Sequence, residues 1–219
     1  MTAAVPYLTS EIRSRKVLEW KAQLQKSARV RTRIPFNIVR SALLWVDPIN
    51  CFTHAQGSAY LPSSPVVMEG SLALMEAFLR AGRPVIIAAH CHSGDPGLFS
   101  MFYRTHIACG TFNAQVHASV PTAPLARVIR KQTYDSFHNT ELTDILTQNN
   151  CDQVMICGVL THLCVESTAR GAFSRGIIPF VVMDATCTRS EALHLASLIS
   201  MSDACAVPLT LEEALLHVP

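Results

Sequence analysis

The sequence predicts an α/β fold, a three-layer α-β-α sandwich whose sheet is mostly parallel, and three observations lead to it. From residue 41 onward, short apolar runs rich in β-forming residues alternate with stretches of helical spacing. The strand-like runs are apolar almost throughout, as is typical of strands covered on both faces. The chain has 219 residues, of which 49% are hydrophobic and 16% charged, so it can form one large core and is not intrinsically disordered.

The first two strands flank a predicted helix. Residues 41–46, Ser-Ala-Leu-Leu-Trp-Val, form an apolar strand that ends at Asp47. Residues 66–81 have helical spacing and end at Gly82, a residue typical of helix C-termini. The run 84–89, Pro-Val-Ile-Ile-Ala-Ala, predicts the second strand.

A long segment, residues 90–122, follows the second strand and is rich in His, Gly and Thr, which predicts that it is too polar for the core. The alternation then resumes to the end of the chain. The predicted elements are a short strand over 128–132, a helix over 140–149, a strand over 153–158, a helix over 163–175, a strand over 179–183 that stops at Asp184, a helix over 190–203, a short strand over 205–208 and a helix over 211–216.

The first 40 residues differ from the rest in charge. Nine Lys/Arg and two Glu give residues 1–40 a net charge of +7, whereas nine Lys/Arg and fourteen Asp/Glu give residues 41–219 a net charge of −5. This segment has no apolar core of the kind that a secretory signal needs. Thr9-Ser10-Glu11 is typical of a helix start, and Leu8, Ile12, Trp20 and Leu24 fall on one helical face. We therefore predict a basic N-terminal helical extension, residues 1–40, packed on its own domain (41–219) or on a partner subunit.

The composition also excludes several classes of function. The overall net charge of +2 does not indicate a nucleic-acid-binding protein. No apolar run approaches the roughly 18 residues that a membrane helix needs. Eight cysteines without a Cys-x-x-Cys pair, in a chain without a secretory signal, predict a cytoplasmic protein whose thiols are free and mostly buried.

Residues that follow the carboxyl ends of the predicted strands are the candidates for chemistry, because ligands bind beyond those ends in open parallel sheets. They are Asp47, the loop 90–95, the turn 158–164 and Asp184. Cys164 is expected at a helix N-terminus, where the backbone dipole favours a thiolate and exposed N–H groups can stabilise an oxyanion. The alternative for any single cysteine is an inert packing role.

Asp47 and Lys131 are the candidate partners of this thiol, because a thiol nucleophile needs a proton acceptor and a charged neighbour. Each alone is typical of a solvated surface residue. In the predicted fold, however, all three side chains can converge on one edge of one sheet.

Three motifs in the order Asp, Lys, Cys carry a family resemblance. Leu44-Trp-Val-Asp47-Pro-Ile-Asn-Cys-Phe52, Lys131-Gln-Thr-Tyr134-Asp-Ser-Phe137 and Gly158-Val-Leu-Thr161-His-Leu-Cys164-Val-Glu-Ser-Thr168-Ala-Arg170 resemble, in turn, an Asp-x-Gln-x-x-Phe motif, a Lys-x-x-Tyr-Ser-x-Phe motif and a nucleophile motif. These are motifs of the isochorismatase-like cysteine hydrolases. That family includes nicotinamidase, N-carbamoylsarcosine amidase, ureidoacrylate and biuret hydrolases and isochorismatase itself. The resemblance covers residues 41–208.

The resemblance implies a role for each of these residues. Cys164 attacks a carbonyl carbon, and Asp47 takes the thiol proton and later passes it to the leaving amine. Lys131 keeps Asp47 and Cys164 in their charged forms. A cis peptide between Val159 and Leu160 directs the N–H groups of Leu160 and Cys164 into an oxyanion hole.

The sequence departs from the family pattern near Asp47. Ile49 replaces the Gln that usually lies two residues after the Asp, which removes a polar group beside the site. The presence of Cys164 favours acyl chemistry over the acid-catalysed cleavage of a vinyl ether. Isochorismatases that cleave the vinyl ether often lack this cysteine.

A histidine cluster lies in the loop after the second strand. His90 and His92 form a His-x-His pair, a common start of a metal site, and His106 matches a further histidine of the nicotinamidase pattern. A carboxylate is replaced by His90, and Leu98 falls near a missing histidine. Two interpretations follow: the three imidazoles bind a divalent metal, or His90 and His92 line the pocket as hydrogen-bond donors. We expect that no cofactor is required.

The sequence therefore predicts a cysteine-dependent hydrolase that cleaves a C–N bond of a small amide or ureido compound and releases ammonia or an amine. The candidate substrate-pocket residues are Phe52, His92, Tyr134, Phe137, Thr161 and His162. The alternatives are a metal-assisted nicotinamidase, a vinyl-ether hydrolase of the isochorismatase type and a non-catalytic family member. We expect a homo-oligomer, a dimer or tetramer, with no nucleic-acid or membrane partner.

Overall fold

A six-stranded sheet forms the centre of the protein. The computed structural model describes residues 5–30, 34–103 and 106–218. The strands are β1 (Ser41–Val46), β2 (Val85–His90), β3 (Ala126–Lys131), β4 (Gln153–Val159), β5 (Ile178–Cys187) and β6 (Val207–Leu209). Their order is β3-β2-β1-β4-β5-β6, and all neighbouring pairs are parallel. This sheet confirms the predicted fold class.

Helices cover both faces of the sheet. They are α1 (Arg13–Ser27), α2 (Asn50–Thr53), α3 (Ser64–Arg80), α4 (Leu98–Tyr103), α5 (Leu142–Gln148), α6 (Glu166–Phe173), α7 (Glu191–Ala204) and α8 (Leu211–Leu216). A π-helical turn, Thr161–Val165, precedes α6, and short 3-10 turns lie at Ile38–Arg40 and Phe112–Ala114. Among the described residues, no helix combines the length and apolar character that crossing a bilayer requires.

The alternation of side chains along the buried strand β1 divides the core into two layers. Leu44 and Val46 point to one layer, which also contains apolar residues of α1, α5, α6 and α7. Leu43 and Trp45 point to the other layer, which contains residues of α3 and α8. All six residues of β1 are buried, as the continuous apolar sequence predicts.

The basic N-terminal segment packs on its own domain. Leu8, Trp20 and Leu24 are buried in the core layer that contains Leu44 and Val46. Helix α1 begins at Arg13, later than the predicted Thr9–Glu11 start. Lys16 Nζ lies 2.9 Å from Glu191 Oε1, and Lys21 Nζ lies 2.5 Å from Glu213 Oε1. Positive charges of the extension thus pair with negative charges of the domain.

The structure corrects the sequence prediction for β5. The strand continues past Asp184 to Cys187, so Asp184 does not lie at its carboxyl end. The Asp184 side chain is buried and accepts a hydrogen bond from the Leu211 backbone N–H at 2.7 Å. Asp184 therefore fixes the start of α8 rather than contributing to the candidate site.

A second correction concerns the segment 90–122, which is not uniformly too polar for the core. It buries His90, His92 and Ile107 and contains the short helix α4. Cys91 and Cys109 form a disulfide, so the prediction that all eight thiols are free is wrong. The sequence pattern did not reveal that residues 92 and 107 pair. The His92 backbone N–H donates to the Ile107 carbonyl oxygen at 2.8 Å, and this pairing brings the two cysteines together.

Candidate active site

The ends of β1 and β3 and the turn after β4 bring the predicted catalytic residues together. Asp47 follows β1, Lys131 ends β3, and Cys164 lies in the turn after β4. Because β3, β2, β1 and β4 are adjacent and parallel, these positions share the carboxyl edge of the sheet. Asp47 has a φ of 51°, a left-handed conformation uncommon for a residue other than glycine.

Asp47 and Lys131 form a buried ion pair. Lys131 Nζ lies 2.8 Å from Asp47 Oδ2, and neither side chain is exposed to solvent. The ammonium also donates to the Thr133 carbonyl oxygen at 3.1 Å, and the His90 N–H donates to Asp47 Oδ1 at 2.8 Å. Both carboxylate oxygens are thus held in place, as a buried charge requires.

Cys164 lies beside this pair. Its residue is 3% exposed, and one ligand atom from each of Asp47, His90 and Cys164 lies within 4.8 Å of the others. Burial and the charge of Asp47 raise the pKa of the Cys164 thiol, and Lys131 opposes that shift in part. Burial alone lowers the pKa of Lys131, but the charges of Asp47 and Cys164 outweigh it and raise that pKa.

These shifts modify one sequence-based expectation. Lys131 was expected to keep both Asp47 and Cys164 charged, but desolvation favours the protonated thiol. Burial thus raises the pKa of the Cys164 thiol beside the Asp47–Lys131 ion pair, and Lys131 offsets this only in part. Such a thiol becomes nucleophilic when a neighbouring base takes its proton.

The turn that carries Cys164 has an unusual backbone. The Val159–Leu160 peptide bond is cis, as the resemblance implied. Gly158 has a φ of 107°, and a Cβ at this position would lie 2.0 Å from the Val46 carbonyl oxygen, so no other residue fits. Leu160 and Cys164, the expected oxyanion-hole donors, both lie in this segment.

A cavity of about 850 Å³ is lined by Leu163, the residue before Cys164, and by Thr133 and Tyr134, which follow Lys131 closely in the chain. Its lining is mainly apolar and aromatic: Ala59, Pro96, Leu98, Phe99, Phe102, Tyr103, Gln132, Thr133, Tyr134, Leu163 and Arg189. Thr133 contacts the Lys131 ammonium, and Leu163 precedes Cys164 in the chain. In this lining, as far as the structure describes it, Arg189 is the one charged side chain.

The structure distributes the predicted pocket residues between three places. Tyr134 lines the cavity. Phe52 and His92 lie behind the lining, where Phe52 packs on Tyr103 with ring centroids 6.0 Å apart and His92 packs on Phe99 with centroids 4.6 Å apart.

The other three predicted pocket residues, Phe137, Thr161 and His162, are not part of the described lining. Phe137 is buried in the core, with the Arg175 guanidinium over its ring at 4.8 Å. Thr161 Oγ1 shares a hydrogen bond with His194 Nδ1 at 2.9 Å. His162 Nδ1 shares one with Thr188 Oγ1 at 2.6 Å. In the π-helical turn, Thr161 thus contacts α7, and His162 contacts the residue that follows β5.

The histidine cluster forms a compact contact. His90 Nε2 and His92 Nε2 lie 3.0 Å apart, and the His92 and His106 ring centroids lie 5.6 Å apart. Burial lowers the pKa of both His90, to about 2, and His92, so both rings are neutral. Among the described residues, the one set of three metal-ligating groups within 4.8 Å is Asp47, His90 and Cys164. His90, His92 and His106 are not such a set among the described residues, and a metal ion at these three residues stays a prediction.

Sequence reasoning missed Arg189. It follows the carboxyl end of β5, a position that the rule for parallel sheets marks as important. The prediction that β5 stops at Asp184 moved attention five residues too early along the chain. The signal was therefore present, but it depended on the true length of the strand.

Comparison with known proteins identifies a family and related folds. The model of the isochorismatase domain matches residues 41–213. Nicotinamidase 3 of Arabidopsis thaliana is 29% identical over 168 residues, which cover 74% of this chain and 80% of that protein. A cysteine hydrolase from Pseudomonas syringae superposes with a TM-score of 0.80 at 24% identity, over 86% of this chain and 96% of its own. N-carbamoylsarcosine amidase from Thermoplasma acidophilum gives 0.72 at 26% identity, over 80% and 98%.

Proposed function

The chain belongs to the isochorismatase family, and from this premise we propose that it is a cysteine-dependent hydrolase of C–N bonds in small amide or ureido compounds. The reaction would release ammonia or an amine. One observation carries the proposal: a buried Asp47–Lys131 ion pair, 2.8 Å long, lies directly beside the Cys164 thiol. This arrangement joins a proton acceptor, a cation and a nucleophile in one desolvated site.

The proposed reaction begins with proton transfer from Cys164 to Asp47. Sγ then forms a bond to the substrate carbonyl carbon, and the carbonyl π electrons move to oxygen. The N–H groups of Leu160 and Cys164 stabilise that oxyanion, as preorganised donors do in acyl transfer. When the tetrahedral intermediate collapses, the C–N bond breaks, and Asp47 gives its proton to the leaving nitrogen.

Hydrolysis of the resulting thioester completes the cycle. Asp47 takes a proton from water, and the hydroxide attacks the thioester carbonyl. The C–S bond breaks, the acid or carbamate product leaves, and the thiol recovers the proton from Asp47. Lys131 lowers the cost of each thiolate state, because its ammonium is buried beside both groups.

The cavity suggests what accompanies the scissile bond. Its aromatic and apolar lining, with Phe99, Tyr103 and Tyr134, suits a planar or apolar group. The exposed Arg189 guanidinium suits an anionic group at the rim, since arginine binds carboxylates in a bidentate manner. We infer that substrates combine an aromatic or apolar body with a negative charge.

The test is ammonia release from a panel of amides and ureides, including nicotinamide and N-carbamoylsarcosine. Cys164→Ala and Asp47→Asn should abolish the activity that the wild-type protein shows. Cys205→Ala is the matched control, because this partly exposed thiol belongs neither to the Asp47–His90–Cys164 cluster nor to the described cavity lining. Wild-type amide hydrolysis by Cys164→Ala would refute the cysteine mechanism. Hydrolysis of a vinyl ether that Cys164→Ala retains would support the isochorismatase-type alternative. Absence of amide hydrolysis, with a reactive Cys164, would support a non-catalytic protein.

We also propose that the protein self-associates. Leu98, Met101 and Phe102 of α4 are between 71% and 81% exposed, and two of them, Leu98 and Phe102, line the cavity. Apolar side chains concentrated in this way are typical of contact surfaces. Light scattering should give a mass at least twice the 24.0 kDa of one chain, and a monomer at micromolar concentration would contradict this expectation.

A further inference from the structure

The N-terminal segment 5–27 lies outside the residues that the family model matches, yet it contacts the surroundings of Cys164 along two lines. One line starts at Trp20 and the other at Tyr7. Each passes through a single residue of the domain before it reaches a residue of the site.

The first line runs from Trp20 through His194 to Thr161. The Trp20 ring is buried, and its centroid lies 4.5 Å from that of His194 on α7. His194 Nδ1 shares a hydrogen bond of 2.9 Å with Thr161 Oγ1. Thr161 opens the π-helical turn that contains Cys164.

Two further hydrogen bonds connect α7 to its neighbours, one to α1 and one to the π-helical turn. The Trp20 indole N–H donates to Glu191 Oε1 at 2.8 Å, which attaches α1 to the first turn of α7. Ser197 Oγ, also on α7, donates to the Thr161 carbonyl oxygen at 3.0 Å. Helix α7 is therefore held by α1 on one side and holds the nucleophile turn on the other.

The second line runs from Tyr7 through Thr188. The Tyr7 hydroxyl oxygen accepts a hydrogen bond from the Thr188 backbone N–H at 2.9 Å. Thr188 Oγ1 shares a hydrogen bond of 2.6 Å with His162, two residues before Cys164. Thr188 also directly precedes Arg189, the cation at the cavity rim.

We propose that the N-terminal segment is a working part of the active site, in which Trp20 positions the Cys164 turn and Tyr7 positions Arg189. Both are positioning residues, since neither touches the reacting atoms. A shift of about 1 Å in a catalytic group can reduce turnover by roughly two orders of magnitude, so contacts of this kind have kinetic consequences. The inference rests on the proposed function.

The experiment compares Trp20→Phe and Tyr7→Phe in the full-length chain, with kinetics measured well below the melting temperature of each variant. Trp20→Phe keeps an aromatic ring but loses the Glu191 hydrogen bond and part of the contact with His194. We expect kcat to fall on the order of tenfold with little change in KM. Tyr7→Phe loses only the acceptor for Thr188, and we expect KM for an anionic amide to rise on the order of tenfold with a smaller change in kcat.

Two further variants separate positioning from general stability. Thr161→Val removes the hydroxyl that His194 contacts without changing the extension, and it should reproduce the kcat loss of Trp20→Phe. Lys21→Ala removes the ion pair of α1 with Glu213 but touches neither line, and it should keep wild-type kcat and KM. Wild-type kcat and KM in Trp20→Phe, Tyr7→Phe and Thr161→Val would overturn the positioning role.

A parallel measurement on Cys164→Ala distinguishes this failure from that of the proposed function. If Cys164→Ala is inactive while the three variants resemble the wild type, the positioning role alone is refuted. If Cys164→Ala keeps wild-type hydrolysis, the proposed function itself is refuted and the positioning role falls with it.

Discussion

Replacement of Lys131 by methionine should destabilise the protein strongly, because it leaves the Asp47 carboxylate buried without a counter-charge. Both side chains are fully buried. Without the ammonium, the described nitrogen donor that remains to the carboxylate is the His90 backbone N–H at 2.8 Å. Removing one partner of a buried pair typically costs about 3–5 kcal/mol of unfolding free energy. That is a large part of the roughly 5–15 kcal/mol available to a domain.

Urea unfolding of a double-mutant cycle measures this effect. Lys131→Met and Asp47→Asn should each lose several kcal/mol, whereas the double variant, which buries neither charge, should lose clearly less than the sum. The control is Arg127→Met, because Arg127 on β3 pairs with Glu141 at 3.1 Å and the two side chains are 58% and 50% exposed. Exposed pairs of this type contribute less than about 1 kcal/mol. Additivity of the two single variants within about 0.5 kcal/mol would refute the argument.

Four other expectations follow from the geometry. Gly158→Ala should lose roughly 3 kcal/mol of unfolding free energy or more, because the new Cβ would lie 2.0 Å from the Val46 carbonyl oxygen of β1. The control, Gly82→Ala, has open space around its Cβ and should lose about 1 kcal/mol. Equal losses in the two variants would contradict this expectation. Arg189→Ala should raise KM about tenfold for anionic amides and little for neutral ones, as steady-state kinetics would show. Burial lowers the pKa of His90 to about 2 and that of His194 to about 3, so below pH about 6.5 the unfolded chain binds protons that the folded chain does not. The free energy of unfolding, measured with urea, should therefore fall as the pH drops toward 3, and it should fall less steeply in His194→Gln. A free energy of unfolding that does not change with pH would contradict this. Chelation with EDTA should leave amide hydrolysis unchanged, and a loss that zinc restores would support a metal-dependent reaction.

The sheet was predictable from local apolar runs, and the proximity of Asp47, Lys131 and Cys164 from strand-end positions together with three motifs that resemble those of the family. Asp47 follows β1, Lys131 ends β3 and Cys164 lies in the turn after β4, and the carboxyl ends of parallel strands meet at one edge. Their separation in sequence did not matter, since topology alone brings them together.

The features that the sequence did not reveal depend on contacts between distant segments. The length of β5 is one: Asp184 stays inside the strand because the Leu211 N–H satisfies its carboxylate across 27 positions. The disulfide is another, since Cys91 and Cys109 become neighbours only when residues 92 and 107–109 pair. The direction of Thr161 depends on its hydrogen bond to His194, which no local pattern indicates.

The alignment of β3 with β2 has a consequence for refolding. Lys131 reaches Asp47 from the far side of β2, and in the parallel pairing Lys131 stands opposite His90. A slip of one residue would turn the Lys131 side chain to the opposite face of the sheet. Long-range parallel pairing of this kind forms slowly. We therefore expect hydrolysis to return after dilution from denaturant only when β1, β2 and β3 have reached their register, later than the collapse of the chain.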